Sequence, residues 1–559
     1  MTQTDVAAAL VERHRETLDR AVAAIGARDY WTPFPESPKP YGDAAAAEEA
    51  FRAHLGRDFP LEQGGTTGGR VGAERSPYGP DLAVRYPEVD VDGLLAAARR
   101  GMPAWRDAGP DVRAAVCLEV LTRVNARSLE LAHAVMHTSG QAFLMAFQAG
   151  GPHAQDRGLE ALAYAYAEMT RVPQRARWQK PARGEPLVMD KTFTVVPRGV
   201  ALVIGCTTFP TWNSYPGLLA SLVTGNPVVV KPHPRAVLPL AITVSIAREV
   251  LAEAGFDPDL VLLAAEDPGG DLASRLAVRP EVRLIDFTGS TSYGEWLEEH
   301  ARQASVYTEK AGVNSVVVDS TDDFAGMCAN LAFSLSLYSG QMCTTPQNLL
   351  VPRDGIDTDE GRKSLDEVAG GVAAAVEALL GDDTRAVNVL GAIANDDVLT
   401  RLERAPELGE LVLASRPVEH PQFPDATVRT PAIVRLDAAD RGTYDGEVFG
   451  PVAFVVATSG TDESLEVLRR SVTEHGAITC AAYSTDEAVL DRVHDVACDV
   501  GVAVSFNLTG SVYVNQTAAF SDFHATGANP AATACYSDAA YVADRFRVVG
   551  ARRHARPAA

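Results

Sequence analysis

Short apolar runs rich in β-branched residues alternate with helical segments between residues 196 and 290, and this alternation constrains the fold more than any other feature. The apolar runs are 200–205, 228–231, 260–264 and 283–289, and the helical segments are 218–225, 236–255 and 271–277. Continuous apolar runs are typical of strands buried on both faces. Such repeats predict a parallel sheet with right-handed crossovers, which binds ligands at the carboxyl ends of its strands.

The chain is long enough to contain further units of this type. Its 559 residues, 46% of them hydrophobic and 22% charged, have an ordinary globular composition and predict about three to five compact units. A second pattern of this kind covers 313–505, where V-N-S-V-V-V-D, N-L-L-V-P, V-A-F-V-V-A and T-C-A-A-Y-S are strand candidates. We therefore predict an α/β fold with two α/β domains.

The net charge limits the kinds of partner. Lys and Arg number 50 against 73 Asp and Glu, which gives a net charge of −23. An acidic surface repels polyanions, so we predict a small molecule or another protein as the partner, with no nucleic acid and no membrane. Seven scattered cysteines without a C-x-x-C pair, and no signal-peptide or membrane-spanning run, favour a cytoplasmic location.

A cysteine in a turn is the first candidate for chemistry. Cys343 lies in Y-S-G-Q-M-C-T-T-P-Q, followed by two threonines and a proline. Backbone N–H groups in such a turn can hold an oxyanion beside a thiolate, whereas a single cysteine in a turn is often inert. Glu309, in Y-T-E-K-A-G-V-N, precedes Cys343 by 34 residues and, taken alone, is a solvated surface carboxylate.

A Rossmann fingerprint is excluded, because the chain contains no Gly-x-Gly sequence. A phosphate could instead bind in F-T-G-S-T-S-Y-G, where Gly289 ends a predicted strand, Ser290 can cap the next helix and Gly294 permits close approach. Farther along, E-V-F-G-P-V places Glu447 and Phe449 before a strand. An ordinary strand-to-helix turn and a simple loop are the alternatives for these two segments.

Together, the four segments occur in an order that resembles the NAD(P)-dependent aldehyde dehydrogenase superfamily. They read T-G-S-T-x-x-G, a Glu before A-G, G-Q-x-C-T and E-V-F-G-P-V, and the resemblance covers roughly 90–520. It implies oxidation of an aldehyde to a carboxylate through a thioester, with Cys343 as the nucleophile and Glu309 as the general base. It assigns no metal to the site.

The same resemblance implies a set of cofactor-binding residues: Gly289 and Ser290 at the pyrophosphate, Gly294 in the same segment, Glu447 and Phe449 at the nicotinamide ribose, and Lys231 at the adenosine ribose. NAD-preferring members often carry a Glu three residues after that lysine. Here this position is Pro234, between His233 and Arg235. Loss of an anion beside two basic residues predicts a preference for NADP, with NAD as the second cofactor, unless His233 and Arg235 merely face solvent.

The oxyanion-hole asparagine of the family has two candidate positions in this sequence. Thr208 lies 23 residues before Lys231, which is the family spacing, and is followed by Phe-Pro. Asn213 lies only 18 residues before Lys231. We favour Asn213, because an amide N–H is the better donor to a developing oxyanion, and Thr208 stays open.

Three longer segments narrow the resemblance. R-D-Y-W-T-P-F-P (28–35), L-Y-S-G-Q-M-C-T-T-P-Q-N (337–348) and N-Q-T-A-A-F-S-D-F-H-A-T-G-A-N-P (515–530) look like those of the PaaN-type phenylacetic acid degradation proteins. That resemblance implies a role in aromatic catabolism, with a ring-opened CoA-thioester semialdehyde as substrate. K-P-H-P-R-A also resembles the CoA-acylating aldehyde dehydrogenases, and a non-catalytic binding or assembly protein is a third alternative. The presence of Glu309 favours hydrolysis.

The resemblance also implies how the chain is divided. The predicted units are an N-terminal helix and arm (1–55), a cofactor-binding domain (56–170 and 196–308), a catalytic domain (309–504), a bridging β-element (171–195 and 505–545) and a solvated tail (546–559). Bridges of this type pair subunits in the family, so we expect a homodimer or homotetramer.

Overall fold

The computed structural model of the protein describes residues 3–310, 312–514, 519, 524–535 and 538–555. Parts of the predicted bridging element (515–518, 520–523 and 536–537) and the tail beyond residue 555 lie outside these described residues. Within them the predicted α/β fold is confirmed, since two large sheets are both interleaved with helices.

Helices dominate the first 170 residues. They span Gln3–Ala27, Ala44–Arg52, Val91–Arg100, Met102–Asp107, Gly109–Ala126, Ser128–Ser139, Phe143–Gly150 and Pro152–Thr170, with a 3-10 turn at Lys39–Tyr41. Residues 57–90, whose Gly-rich and Pro-rich composition suggests an irregular connection, instead contain an antiparallel hairpin of Thr66–Val71 and Tyr86–Val89. Gly68, at a φ of +90°, lets this Gly-rich stretch bend while its backbone still pairs.

A five-stranded parallel sheet occupies the region of strand and helix alternation. In spatial order its strands are Val261–Leu263, Val228–Lys231, Val200–Ile204, Val282–Thr288 and Ser305–Glu309. The intervening helices are Pro210–Val223, Leu238–Glu253, Leu272–Ala277 and Thr291–His300, with a 3-10 turn at Pro258–Leu260. Along the central strand Ala201 and Val203 join one apolar cluster while Leu202 and Ile204 join another, so both faces of the sheet are buried.

The strand order of this sheet reverses at its centre. Val228–Lys231 and Val261–Leu263, the next two strands in sequence after Val200–Ile204, lie on one side of it. The later strands Val282–Thr288 and Ser305–Glu309 lie on its other side. Such a switch point opens a crevice at the carboxyl ends of the central strands. The chain therefore places 205–208, Lys231, Gly289 and Glu309 around one crevice.

A seven-stranded sheet forms the second half of the molecule. In spatial order its strands are Glu410–Leu413, Ala432–Asp437, Val452–Thr458, Asn348–Pro352, Ser315–Val318, Thr479–Tyr483 and Ala503–Phe506, of which only the first is antiparallel to its neighbour. Its helices are Phe324–Ser336, Leu365–Leu380, Asp383–Ala386, Asp396–Glu403, Ala405–Leu408, Arg441–Tyr444, Thr461–His475 and Glu487–Val500, with a 3-10 turn at Leu337–Gly340. Short strands at Ser320–Thr321, Ile356–Thr358, Gly361–Lys363, Pro417–Val418 and Val428–Arg429 form two accessory sheets.

A three-stranded antiparallel sheet corrects the prediction for the C-terminal region. Arg175–Lys180 and Leu187–Pro197 lie in the predicted bridging element, but the third strand is Phe546–His554, which we predicted to be a solvated tail. Its basic sequence carries little apolar alternation, yet the strand pairs over nine residues with Met189–Pro197 because backbone pairing needs no apolar side chain. The described residues of 524–535 pack instead beside Glu309, and the domain boundaries themselves stay a prediction.

A buried ion pair ties this C-terminal region to the five-stranded sheet. Arg545 lies after the short helix Ala539–Ala543 and is fully buried. Its guanidinium donates to both carboxylate oxygens of Asp286 at 2.8 and 2.6 Å, and Tyr541 Oη donates to the same carboxylate at 2.6 Å. Asp286 belongs to the strand that ends just before Gly289, so the C-terminal segment stabilises a strand that borders the crevice.

Candidate active site

Two cavities meet at Cys343. The sheet-end cavity, about 610 Å³, is lined by the carboxyl ends of the five-stranded sheet, including Lys231, Gly289 and Glu309. The helix-lined cavity, about 680 Å³, is bounded by the helix Phe143–Gly150, by Trp212 and by Phe333. Of the described residues, Cys343 alone lines both. A ligand in either cavity can thus reach the same sulfur atom.

Three residues in the left-handed region shape the turn that carries Cys343. Tyr338, Ser339 and Gly340 have φ values of +55°, +52° and +64°. The conformation is unfavourable for Tyr and Ser, and hydrogen bonds hold it: Tyr338 Oη donates to Ser139 O at 2.5 Å, and Ser339 Oγ donates to Gly391 O at 2.9 Å. At Gly340 a Cβ would lie 2.6 Å from Gly450 O, so only glycine fits.

A buried asparagine fixes the loop on the other side of the cysteine. Asn314 Nδ2 donates to the carbonyl oxygens of Cys343 and Thr345 at 2.7 and 3.0 Å. Its Oδ1 accepts from the N–H groups of Ile478 and Thr479 at 3.0 and 3.1 Å, in the seven-stranded sheet. The loop of Cys343 is therefore clamped to a rigid strand.

Glu309 ends its strand and is only 1% exposed. Its Oε2 accepts a hydrogen bond from His524 Nε2 at 3.0 Å, and Asn213 Nδ2 lies 3.4 Å from both carboxylate oxygens. The Cys343 thiol also donates to this carboxylate. The donor and acceptor atoms of Glu309, Cys343 and His524 all lie within 4.8 Å of one another, so three groups capable of proton transfer share one site.

Burial and neighbouring charge set the protonation states of this group. Burial raises the pKa of Cys343 well above its usual value, and the Glu309 carboxylate raises it further. Burial alone would raise the pKa of Glu309 too, but the charge and hydrogen bond of His524, the Cys343 thiol and the charge of Arg157 together lower it. The resting pair is consequently a neutral thiol beside a carboxylate, with the carboxylate ready to accept a proton.

The sheet-end cavity holds most of the predicted cofactor-binding residues. Gly289, Ser290, Lys231, Glu447 and Phe449 all line it. Ser290 precedes the helix Thr291–His300 and does not cap it with its side chain, which leaves the first N–H groups of that helix to another acceptor such as a phosphate.

The segment that carries Glu447 and Phe449 is held by Gln347. Gln347 Oε1 accepts from Val448 N at 2.6 Å, and its Nε2 donates to Gly446 O at 3.0 Å, so Gln347 fixes the E-V-F-G segment on both sides. Burial raises the pKa of Glu447 to about 7, against a backbone hydrogen bond from Gly312 and the charge of Arg401.

Three predicted cofactor contacts differ from the expectation: Gly294 and Arg235 lie outside the cavity lining, and His233 lines the cavity but is neutral. A Cβ at Gly294 would lie 2.6 Å from the side chain of Lys310, so the glycine makes room for that lysine and does not line the cavity. Burial and the charges of Lys231 and Arg235 lower the pKa of His233 to about 4, so this imidazole is neutral at pH 7. The exposed Arg235 donates to Ala394 O at 3.4 Å and is not part of the cavity lining.

A carboxylate that the sequence pattern did not reveal stands beside Lys231. Glu266 lines the same cavity, its Oε1 forms an ion pair with Lys231 Nζ, and its Oε2 accepts from Leu272 N at 2.8 Å. Lys231 is buried and its charge is compensated. The three basic residues of K-P-H-P-R therefore do not form the positive pocket that we predicted.

Comparison with known proteins identifies the group to which the chain belongs. The model of the aldehyde dehydrogenase family matches residues 83–529, which is most of the chain. The chain belongs to the aldehyde dehydrogenase family. A solved structure of an NAD-dependent aldehyde dehydrogenase from Burkholderia multivorans is similar along the whole length, with 57% identity, a TM-score of 0.96, and coverage of 98% of this chain and 100% of that one.

More distant relatives of this aldehyde dehydrogenase share the fold. A 1-pyrroline-5-carboxylate dehydrogenase of Bacillus cereus is 24% identical over 467 residues, covering 80% of this chain and 86% of its own. A structure of the Thermus 1-pyrroline-5-carboxylate dehydrogenase with bound NAD has a TM-score of 0.71 at 21% identity, covering 91% of this chain and 96% of that one. The predicted enzyme class, an aldehyde dehydrogenase, is thus confirmed at the level of the family.

Both candidates for the oxyanion-hole residue lie at the sheet-end cavity of this aldehyde dehydrogenase, but their contacts differ. Asn213, in the first turn of the helix Pro210–Val223, faces Glu309. The Thr208 hydroxyl faces Cys206 Sγ at 3.7 Å, and the Thr208 carbonyl accepts from Gln141 Nε2 at 2.7 Å. Of the two, only Asn213 contacts Glu309 directly, whereas Thr208 is connected to it through Cys206 and Asn213.

Sequence reasoning missed His524, Glu266 and Asn314. His524 lies within the quoted segment 515–530, but nothing in that segment indicates which distant residue its histidine meets.

Among the helices in the described part of the chain, none combines the length and the apolar character needed to cross a membrane.

Proposed function

We propose that the protein oxidises an aldehyde to a carboxylate through a thioester on Cys343. The observation that carries this proposal is the position of Cys343 at the meeting point of two cavities, beside the buried Glu309. One cavity suits a dinucleotide and the other an aldehyde, so both reactants can reach the sulfur from opposite sides.

In the first stage Glu309 accepts the thiol proton as Cys343 Sγ adds to the aldehyde carbon. Sulfur alone is a poor nucleophile here because the pKa of its thiol is raised, so proton removal accompanies attack. The N–H of Cys343 and the amide of Asn213 then stabilise the oxyanion of the thiohemiacetal. A bound nicotinamide dinucleotide supplies the hydride acceptor.

In the second stage the thioester on Cys343 is hydrolysed. After the thiol proton has passed from Glu309 to solvent, Glu309 removes a proton from water and the resulting hydroxide adds to the thioester carbonyl. The carbon–sulfur bond then breaks, which releases the carboxylic acid product and the Cys343 thiolate, and protonation of the thiolate restores the resting thiol. The same donors stabilise the second oxyanion. Glu309 thus acts as a base in both stages, and hydrolysis depends on it more strongly than attack does.

We expect the substitution Asn213→Ala to lower kcat/KM by about 10²- to 10³-fold, because loss of one oxyanion donor has this effect in other acyl-transfer enzymes. Thr208→Ala should cost less than about tenfold, since its hydroxyl faces Cys206. Steady-state kinetics of the two purified variants give the comparison. A larger loss in Thr208→Ala would place the oxyanion donor at residue 208 instead.

On the cofactor, we propose that NAD is favoured over NADP, which reverses the preference predicted from K-P-H-P-R-A. The support is Glu266, whose carboxylate pairs with Lys231 in the sheet-end cavity. A carboxylate there can accept hydrogen bonds from ribose hydroxyls and repels a 2′-phosphate. The neutral His233 and the displaced Arg235 add no compensating charge.

The substitution Glu266→Gln should raise kcat/KM for NADP relative to NAD by about ten- to a hundredfold, because it removes the repelling charge and frees Lys231 to pair with the phosphate. The measurement is the ratio of the two kcat/KM values for wild type and variant. Glu403→Gln, at an exposed site on the helix Asp396–Glu403, is the matched control. An unchanged ratio in Glu266→Gln would remove Glu266 from cofactor selection.

For the substrate, we propose the ring-opened CoA-thioester semialdehyde that the resemblance to PaaN-type proteins implies. The helix-lined cavity supports an elongated acyl chain, because Leu144, Met145, Phe209, Trp212 and Phe333 line it. Its described lining contains no Lys or Arg, and the Glu36 carboxylate there is paired with His153 at 3.3 Å. The cavity therefore fits the uncharged part of such a substrate, and the phosphates of CoA would bind outside it.

A panel of aldehydes, free and CoA-linked, assayed with NAD and with NADP, tests this proposal. We expect the highest kcat/KM for a CoA-linked semialdehyde. The product should carry a free carboxylate at the oxidised end, with its CoA thioester bond left intact. Equal rates for free aldehydes of the same chain length would exclude CoA as a recognised group. Cofactor reduction that depends strictly on added free CoA would indicate the acylating reaction instead.

We propose the domain division predicted above, with the C-terminal strand added to the bridging sheet, and assembly as a homodimer or homotetramer. Support comes from that three-stranded sheet, where Leu187, Val548 and Val549 are exposed by 51%, 39% and 55%. Exposed apolar side chains on a long strand pair are typical of surfaces that a second subunit covers.

A further inference from the structure

His524 contacts the carboxylate of Glu309 from a buried position. Its side chain is 3% exposed, and its Nε2 lies 3.0 Å from Glu309 Oε2. An ionised carboxylate only accepts hydrogen bonds, so Nε2 carries the proton and donates it.

The position of His524 is fixed by its own segment, which is 215 residues from Glu309 in sequence. Residues 524–535 run beside the strand that ends in Glu309, with Lys310 N donating to Ala531 O at 2.6 Å and Thr533 N donating to Thr308 O at 2.9 Å. Asn529 anchors the segment, because its Nδ2 donates to Ala477 O and Gly501 O at 2.9 and 2.8 Å.

Aromatic packing orients the imidazole. The ring of His524 meets that of Trp212 edge to face, with centroids 4.7 Å apart and an interplanar angle of 78°. The Arg157 guanidinium lies over the Trp212 ring at 5.0 Å. Trp212 is one residue before Asn213, so a single helix turn supports both partners of Glu309.

We infer that His524 is a positioning residue that holds Glu309 in the orientation and the deprotonated form that a general base requires. This inference rests on the role proposed for Glu309 above. It adds a third member to the cysteine and glutamate pair, and the effect inferred for this member passes through its hydrogen bond to the Glu309 carboxylate.

Most charged groups around Glu309 and His524 are paired with other residues, so His524 is the main group that stabilises the Glu309 carboxylate. Glu309 faces the Cys343 and Cys206 thiols and the Arg157 guanidinium. Arg157 already lies 3.3 Å from Glu160. On the remaining sides Lys310 is paired with Glu298 at 2.9 Å, Glu447 acts on Cys343, and Glu36 and His153 pair with each other at 3.3 Å across the helix-lined cavity.

Replacing His524 should therefore move the pH dependence of hydrolysis. In His524→Ala, Glu309 stays buried but loses its donor and the positive charge, so its pKa rises and a higher pH is needed to keep it ionised. We expect the acidic limb of the kcat profile to shift upward by about 1–3 pH units. At pH values where Glu309 is ionised, the burst of reduced cofactor in the first turnover should keep its amplitude, because attack by Cys343 needs this carboxylate as proton acceptor but needs no activated water.

His524→Gln separates the hydrogen bond from the charge. Its side-chain amide can still donate to Glu309, so we expect kcat at alkaline pH to recover toward wild type while the acidic limb stays shifted. His475→Gln, at a histidine with a side chain 42% exposed, is the matched control and should leave the profile unchanged. Wild-type pH profiles in both His524 variants would overturn the inference.

Infrared difference titration gives a second readout that needs no turnover. The carboxylic acid band that disappears in Glu309→Gln reports protonation of Glu309 directly. In His524→Ala this band should appear at a higher pH than in wild type, whereas an unchanged titration would overturn the inference. Absence of aldehyde oxidation in the wild type would refute the proposed function alone, since the infrared result still decides the interaction between His524 and Glu309.

Discussion

The substitution Cys343→Ala should abolish aldehyde oxidation, with kcat/KM reduced by roughly 10⁴- to 10⁶-fold, the range seen when other enzymes lose their nucleophile. Cys206 also lines the sheet-end cavity, but it does not line the helix-lined cavity, and its thiol is hydrogen-bonded to Asn213 and Thr208. The measurement is the aldehyde-dependent reduction of NAD, in single-turnover and steady-state modes. Both modes should fail, because the covalent intermediate cannot form.

A matched variant at an exposed cysteine serves as the control for this prediction. Cys498 is exposed on the helix Glu487–Val500, so Cys498→Ala should retain full activity and the same thermal stability. Cys343→Ala should also retain its stability, because the loop is held by Asn314 through the backbone carbonyl and not through sulfur. Substantial activity in Cys343→Ala would refute a thioester mechanism and favour a non-catalytic role for the fold.

The substitution Glu309→Gln should leave a burst of one reduced cofactor per site and then slow turnover by about 10²- to 10⁴-fold, the usual contribution of a general base. Burial raises the pKa of Cys343, and the Glu309 charge raises it further; removing that charge lowers the pKa again. Attack by Cys343 becomes slower without its proton acceptor but stays faster than hydrolysis, so the burst keeps its amplitude. Gln cannot take a proton from water, so the thioester accumulates.

Rapid-quench kinetics and intact-protein mass spectrometry measure these two parts separately. The burst amplitude counts active sites, and the mass increase identifies the acyl group on Cys343. Glu403→Gln, which changes an exposed carboxylate, should behave as wild type. Full steady-state activity in Glu309→Gln would assign water activation to another group, whereas loss of the burst would mean that Glu309 is indispensable for attack.

Local patterns were sufficient to predict the two α/β sheets. The runs around Val200–Ile204 and Val228–Lys231 are continuous and apolar, and the structure has strands there because both faces are covered by helices. The strand Phe546–His554 was missed because eight of its nine residues are exposed, so its sequence carries no burial pattern. What holds it is the backbone of its neighbour.

The same distinction applies to the candidate site: residues in recognisable local segments could be predicted from the sequence, and partners distant in sequence could not. Cys343 and Glu309 lie in segments whose order and spacing are recognisable, and the structure brings them together. His524 reaches Glu309 across 215 residues of sequence, and Glu266 reaches Lys231 from the end of the next strand, so neither partner follows from a local pattern. Arg235 and Gly294 were placed in the cofactor cavity by their position in a motif, whereas packing turns them to other neighbours.

The ion pair of Asp286 and Arg545 has a consequence for how the molecule is made. The two residues are 259 positions apart, and a ribosome adds about 5–20 residues per second, so Asp286 is synthesised roughly ten seconds to a minute before its partner. Until then the strand that leads to Gly289 carries a carboxylate that cannot be buried without cost. Closure of the crevice during synthesis must therefore wait for the C-terminal segment, and a chain that stops short of Arg545 exposes this sheet to chaperones and proteases.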